Sequence, residues 1–123
     1  MNIIATEKAP GAIGPYSQAI EANGFVFASG QIPVNPETGE IPAGIEAQAE
    51  QVMKNMKNLL EAAGTSIDQV VKTSVFIKNM DDFAIINGIY AKYFEKDCPA
   101  RSCVEIARLP KDVLLEMEAI AVK

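Results

Sequence analysis

The sequence contains no histidine, and that absence removes the commonest catalytic base and the commonest metal ligand. Ser–His–Asp and Cys–His nucleophile pairs are excluded, as is any zinc site built on imidazole. Cysteine is scarce. Cys98 and Cys103 are too few for a four-thiolate metal site or a disulfide framework, and they read as reduced thiols. No apolar run approaches the roughly 18–20 residues that span a bilayer, and Met1 to Lys8 lack the basic stretch and apolar core of a signal peptide. A cytoplasmic chain with no membrane segment is the expectation. Basic residues are outnumbered, 11 against 16 acidic, for a net charge of −5. Phosphate backbones repel such a surface unless its positive charges cluster. No window holds a dense Lys/Arg cluster with interleaved aromatics, which disfavours a nucleic-acid partner. Neither common phosphate-binding glycine loop occurs. Chemistry is left to Glu, Asp, Lys, Arg, Tyr, Ser or Cys.

What remains is a chain of 123 residues, 49% apolar and 22% charged, which suits one globular domain over residues 1–123 rather than a disordered acidic tail. Ser17–Ala22 and Phe25–Ser29 flank Asn23-Gly24, a two-residue turn that predicts a type I′ hairpin, and Asn2–Ala5 can add an edge strand. The stretch Ile32–Gly39, with its two prolines, ends that hairpin. Apolar residues at Ile45, Ala49, Val52, Met53, Met56, Leu59, Leu60 and Ala63 keep the helical period, which predicts a helix with Gly64 as its C′ residue. On its opposite face Glu50 and Lys54 are ordered for an i,i+4 pair. Val70–Lys78 alternates and is rich in β-branched residues, a strand pattern. A second helix, capped by Asp81 or Asp82, runs to about Phe94 and buries Phe83, Ile86, Tyr90, Tyr93 and Phe94. Two strands follow, near Ala100–Ala107 and Val113–Val122.

The order ββ-α-β-α-ββ gives an α+β two-layer sandwich, a mixed sheet with both helices on one face and the terminal strand pairs joined as hairpins. In a last hairpin, directly opposed residues share a face. Matching the apolar rows of its strands places Arg101, Cys103 and Glu105 with Glu116 and Glu118, on the face away from the helices. With Leu114 and Ile120 added, that face is too apolar for water and too charged for a core. A second copy of the chain is expected to cover it, leaving a cleft for a small ligand.

Several side chains near that face can carry chemistry. Arg101, in Pro99-Ala100-Arg101-Ser102-Cys103, presents a planar donor fork suited to a carboxylate; the competing reading is a surface ion pair with Glu116 or Glu118. Glu116 suits general acid–base work if desolvated, and otherwise is a solvated strand carboxylate. Cys103 has no adjacent base to activate it and reads as a half-buried thiol on a pocket wall, with Cys98 a bystander. Tyr16 reads as a packing aromatic, and Ser29-Gly30 is a weak signal by itself. Gly88, after Asn87 in the second helix, costs about 1 kcal/mol relative to alanine, and close packing against the sheet or another subunit is its expected reason.

Read together, these segments resemble the RidA/YjgF family of reactive-intermediate deaminases. The resemblance rests on Ala12-Ile13-Gly14-Pro15-Tyr16-Ser17, Ser29-Gly30-Gln31-Ile32-Pro33-Val34-Asn35-Pro36, Val71-Lys72-Thr73-Ser74-Val75-Phe76, Pro99-Ala100-Arg101-Ser102-Cys103-Val104 and Leu109-Pro110-Lys111-Asp112-Val113, followed by Glu116-x-Glu118. It implies a chorismate-mutase-like homotrimer with active sites in clefts between subunits. The implied reaction hydrolyses 2-imino acids or their enamine tautomers to 2-oxo acids and ammonia, with no metal or cofactor. By position, Arg101 would clamp the substrate carboxylate and Glu116 would activate water or relay its proton. The Cys103 backbone N–H would help hold the carboxylate, and Tyr16, Ser29, Gly30 and Asn87 would line the cleft. One departure is the connection from Phe94 to Pro99, which looks short for the family and bears on the pocket rim. Two other readings compete: a non-catalytic regulatory trimer that senses small carboxylates, and the ribonuclease or translation-inhibitor role that some family members are labelled with.

Overall fold

The computed structural model describes residues 1–123. Strands β1 (Asn2–Ile4), β2 (Ala19–Ala22) and β3 (Phe25–Gln31) precede helix α1 (Ile45–Ala62). Strand β4 (Val70–Ile77), helix α2 (Phe83–Tyr93), and strands β5 (Ala100–Glu105) and β6 (Leu115–Val122) complete the order. One six-stranded sheet runs β1-β2-β3-β6-β4-β5. The α+β architecture, mixed pairing and edge strand at Asn2–Ile4 agree with the sequence reading. No helix is long and apolar enough to cross a membrane.

Local chemistry explains the well-predicted pieces. Asn23 (φ 51°) and Gly24 (φ 80°) take the left-handed angles of a type I′ turn, which β2 and β3 flank. Val52, Met56, Leu59 and Leu60 are wholly buried, so α1 lies with its periodic stripe on the sheet. Gly64 (φ 84°) ends it in a Schellman motif: Thr65 N donates to Leu60 O and Gly64 N to Glu61 O, each at 3.0 Å. Two polar residues share the buried side of α1 and bind loops to it. Asn55 donates to the carbonyls of Ile32 (3.0 Å) and Val34 (2.9 Å), while Gln48 accepts from Leu114 N at 2.8 Å and donates to Pro42 O at 3.0 Å.

Three expectations are corrected. Glu50 does not pair with Lys54; it reaches α2, accepting from Lys92 Nζ at 3.0 Å and from the Tyr93 hydroxyl at 3.2 Å, because the packed helix offers closer donors. Neither aspartate caps α2 with its side chain; Asn79 instead accepts from Asp81 N at 2.9 Å, at a short 3₁₀ turn over Met80–Asp82 that leads into the helix. Ile89 also belongs to the buried stripe of α2, whereas Phe83 and Tyr93 are only partly buried.

The largest correction concerns the last strand pair. β5 and β6 form no hairpin, because β4 lies between them, parallel to β5 and antiparallel to β6. Burial explains the order: β5 is exposed or half-exposed along its length and suits an edge, whereas β6 alternates fully buried residues and suits the centre. The connection 106–114 contains a 3₁₀ turn with Lys111 (φ 56°) and Asp112 (φ 55°) left-handed, and it carries the chain past β4. Inserting a strand resets which residues share a face. Across the sheet, Ile4, Ala19, Ala28, Ala119, Thr73 and Arg101 form one row on the helix face. The adjacent row, Ile3, Ile20, Phe27, Ile120, Lys72 and Ala100, lies on the open face.

Candidate functional site

Glu116 pairs with Phe76, which pairs with Val104, so Glu116 sits on the open face. Arg101 and Cys103, opposite Thr73 and Val75, belong to the helix face at the free edge of β5. The expected grouping of Arg101, Cys103 and Glu105 with Glu116 and Glu118 is therefore overturned. Within one chain, the arginine and the glutamate are on opposite sides of the sheet.

Each side has its own constellation. At the edge, Arg101 donates through Nη1 to Asn87 Oδ1 at 2.7 Å, and its guanidinium carbon stands 4.8 Å from the Tyr90 ring centroid and 5.4 Å from that of Phe83. No carboxylate joins it: the ion pairs are Lys57–Glu61, Lys92–Glu50, Arg108–Asp112 and Lys123–Glu21. The surface-pair reading of Arg101 thus fails. Ile106 N donates to Ile77 O, so strand alternation turns the N–H groups of the odd-numbered residues, Cys103 among them, outward along the free edge. The Cys103 side chain packs against the core; burial pushes its thiol upward in pKa, with Arg101 partly opposing. The thiol stays protonated and is no nucleophile at neutral pH. Arg101 is thereby left with unpaired donors beside an outward backbone N–H, an arrangement suited to an organic anion.

The second constellation gathers around a bulge in β3. Ala28 pairs with Ala119 and Gln31 with Met117, so Ser29 and Gly30 together face Glu118 alone. Ser29 is fixed by its own bonds, donating from Oγ to Ser17 O at 2.6 Å and from N to Gln18 O at 2.9 Å. The bulge brings Gly30 against the Glu116 side chain. Burial, with the Glu118 charge second, raises the Glu116 carboxyl above the usual carboxylate range. Gln18 ties the N-terminal segment down, accepting from Thr6 N at 2.7 Å and donating to Pro10 O at 2.9 Å. The loop thus held carries Tyr16, which is exposed and packs into no core, contrary to expectation. Tyr16, Gly30 and Gln31 line a cleft of about 560 Å³ together with Ile32, Pro110 and Lys111.

Sequence reasoning missed Gln18, Gln48 and Asn55 as organising residues. The signal was there for the last two, as polar side chains next to the apolar stripe of α1. Gly88 has open space where a Cβ would stand, so no packing within the chain explains it. No group of His, Cys, Asp or Glu side chains converges to hold a metal ion.

A one-sided α+β sheet thus carries an arginine without a carboxylate partner at its free edge and a carboxyl raised by burial on its other face. The family model described as endoribonuclease L-PSP matches residues 6–123, and the chain belongs to that family, in agreement with the RidA/YjgF resemblance. Among its relatives, the 2-iminobutanoate/2-iminopropanoate deaminase of Escherichia coli strain K12 is 54% identical over 123 residues, covering 98% of this chain and 96% of the relative. A RutC family protein of Haemophilus influenzae is 57% identical over 125 residues, with the same coverage. The crystal structure of Escherichia coli TdcF with bound serine superposes at a TM-score of 0.97, with 52% identity over 100% of this chain and 99% of that one.

Proposed function

We propose that the chain hydrolyses reactive 2-imino acids, or their enamine tautomers, to 2-oxo acids and ammonia, in active sites formed between copies of the chain in a homotrimer. The observation that carries this reading is Arg101, a half-buried guanidinium held by Asn87 with no carboxylate partner. Its free donors and the outward N–H of Cys103 suit the substrate carboxylate. Glu116, whose carboxyl burial raises above its ordinary value, suits proton handling. Since these groups lie on opposite faces of one chain, a site that uses both draws them from two copies. The open face supports such an assembly: Phe25, Phe27 and Val104 are exposed on it. The names of the relatives point the same way, one a deaminase of 2-iminobutanoate and 2-iminopropanoate and another crystallised with serine, an amino carboxylate.

The chemistry follows from these placements. Arg101 fixes the carboxylate and so the position of the imine carbon, which is already electrophilic. Glu116 orients a water and takes its proton as oxygen bonds to that carbon. Glu116 returns that proton to the nitrogen to give the amino alcohol, then carries the hydroxyl proton to the same nitrogen as C=O forms and the C–N bond breaks, releasing ammonia and a 2-oxo acid. Anchoring converts a chance encounter into a near-attack geometry. Tyr16, Ser29 and Gly30 form the rim on the glutamate side, Asn87 and Cys103 on the arginine side. We place the reaction in the cytoplasm, where free thiols such as Cys98 and Cys103 stay reduced. The family's ribonuclease description fits this chain poorly, since its net charge is −5 and it has no histidine.

The test is a coupled assay. A pyridoxal-phosphate-dependent dehydratase generates the imine, and capture by semicarbazide competes with hydrolysis. The chain is expected to suppress semicarbazone formation, and Arg101→Ala to abolish that suppression without changing the sedimentation coefficient. A variant that keeps most of the wild-type rate overturns the carboxylate clamp. Pyruvate binding without any acceleration replaces the enzyme with a sensor.

A further inference from the structure

The arginine at the sheet edge is carried by side chains that leave its charge uncancelled. Tyr90, 8% exposed, presents its ring to Arg101 at 4.8 Å, and Phe83 adds a second ring at 5.4 Å. The Tyr90 hydroxyl pairs at 2.8 Å with Oγ1 of Thr73, which is fully buried and directly opposite Arg101 in the strand register. Phe94 also packs against the Tyr90 ring, centroid to centroid 4.5 Å. A ring face attracts a guanidinium without occupying any of its N–H donors, whereas a carboxylate in the same place would take them. Asn87 takes one donor only, through Nη1. Hydroxyl pair, ring and guanidinium therefore form a chain of contacts from the buried core of β4 to the free edge.

We infer that Tyr90 is a positioning residue for anion binding: its ring sets the plane of the Arg101 guanidinium, and the Thr73 hydroxyl sets the ring. This rests on Arg101 as the carboxylate clamp, and deepens that reading by naming what orients the clamp. A guanidinium without the ring still carries its charge but samples more orientations, so a bound carboxylate loses the bidentate geometry. The cost falls on binding, and proton handling at Glu116 is untouched.

The experiment compares wild type with Tyr90→Leu, Tyr90→Phe and Phe83→Leu by two readouts. The first is the ¹⁵N order parameter of Arg101 Nε–H in the ligand-free protein, which needs no substrate. The second is the Kd for pyruvate, with kcat and KM from the coupled assay. Tyr90→Leu is expected to lower the order parameter and to raise Kd and KM about tenfold, with kcat changed less than about twofold. Tyr90→Phe, which keeps the ring but frees it from Thr73, is expected to fall between wild type and Tyr90→Leu in both readouts, within about threefold of wild type, and wild-type values in this variant would remove Thr73 from the inference. Phe83→Leu, at a half-buried position, is expected to raise Kd about threefold through the second ring, and if Tyr90→Leu does not fold the Tyr90→Phe result decides the matter. An unchanged order parameter and Kd in a folded Tyr90→Leu protein overturn the inference, as does a loss confined to kcat. Pyruvate binding by wild type that Arg101→Ala does not weaken instead overturns the clamp itself, while the ligand-free order parameter still reports on the ring.

Discussion

A methyl group placed on Gly30 would stand 2.6 Å from Oε2 and 2.8 Å from Cδ of Glu116, so the carboxylate occupies the space that any other residue's Cβ would take. The glycine is required by close approach, and its backbone angle is not left-handed. Gly30→Ala must move the Glu116 side chain. A displacement of about 1 Å at a reacting group costs on the order of a hundredfold in rate. Hydrolysis is expected to fall by that order while circular dichroism and oligomeric state stay as in wild type, and a fully active Gly30→Ala protein would remove Glu116 from the mechanism.

The open face offers a direct test of assembly. Phe27 is 44% exposed there, in the row with Ile20 and Ile120. Phe27→Asp leaves the helix-side core untouched but puts a charge where a second copy would pack. Sedimentation should show a folded monomer, and the coupled assay should show no deaminase activity, because no chain supplies both halves of the site. A variant that stays assembled and active would place the seam elsewhere.

The pH dependence follows from Glu116. Its active form as a base is deprotonated, so kcat/KM should decline on the acid side through its raised pKa. Glu118→Gln removes one cause of the rise and should shift that decline to lower pH. Stability has the opposite-looking trend. The folded chain holds the Glu116 proton more tightly than the unfolded chain, so this group's contribution is full below the unfolded pKa and is lost as pH rises through the folded one. Glu116→Gln should therefore melt higher than wild type at neutral pH and equally at about pH 4, with urea titrations at both values as the check.

Gly88 lies in α2 with nothing near the position its Cβ would take. In the isolated chain, Gly88→Ala should stabilise the fold by about 0.5–1 kcal/mol, the helix-propensity difference. Measured on the Phe27→Asp background, where copies do not assemble, the gain should appear in full. A loss there would mean that α2 needs the glycine for its own backbone.

The hairpin, both helices and the strand at Val70–Ile77 were legible because each is specified by neighbours in sequence: an Asn-Gly turn, a periodic stripe, a β-branched run. The position of β6 was not, because strand order is decided by which strand is apolar enough for the centre. Matching apolar rows took Ser102, Val104 and Ile106 as the core side of β5 and moved Arg101 to the wrong face, whereas Val104 is exposed on the open face and Cys103 packs against the core. The weak alternation of β5 was the available warning. Arg101, Glu116 and Asn87 were legible as residues, but that Asn87 and Tyr90 would hold the arginine depends on how α2 lies over β4 and β5. Thr73 gave no sign either, because a buried threonine in a strand reads as any β-branched residue until its hydroxyl finds a partner.

The insertion of β6 also shapes how the chain can form during synthesis. β3 and β4 each bond to it and not to each other, so a ribosome that has made residues up to 114 holds a β1–β3 piece and a β4–β5 piece with no strand pairing between them, joined only through the packing of α1. The sheet becomes continuous only when Leu115–Val122 emerges. Until then the faces of Val26 and Val75 that will meet Ala121 and Met117 stay unprotected, which makes this late segment the step at which nascent chains are most open to misassociation.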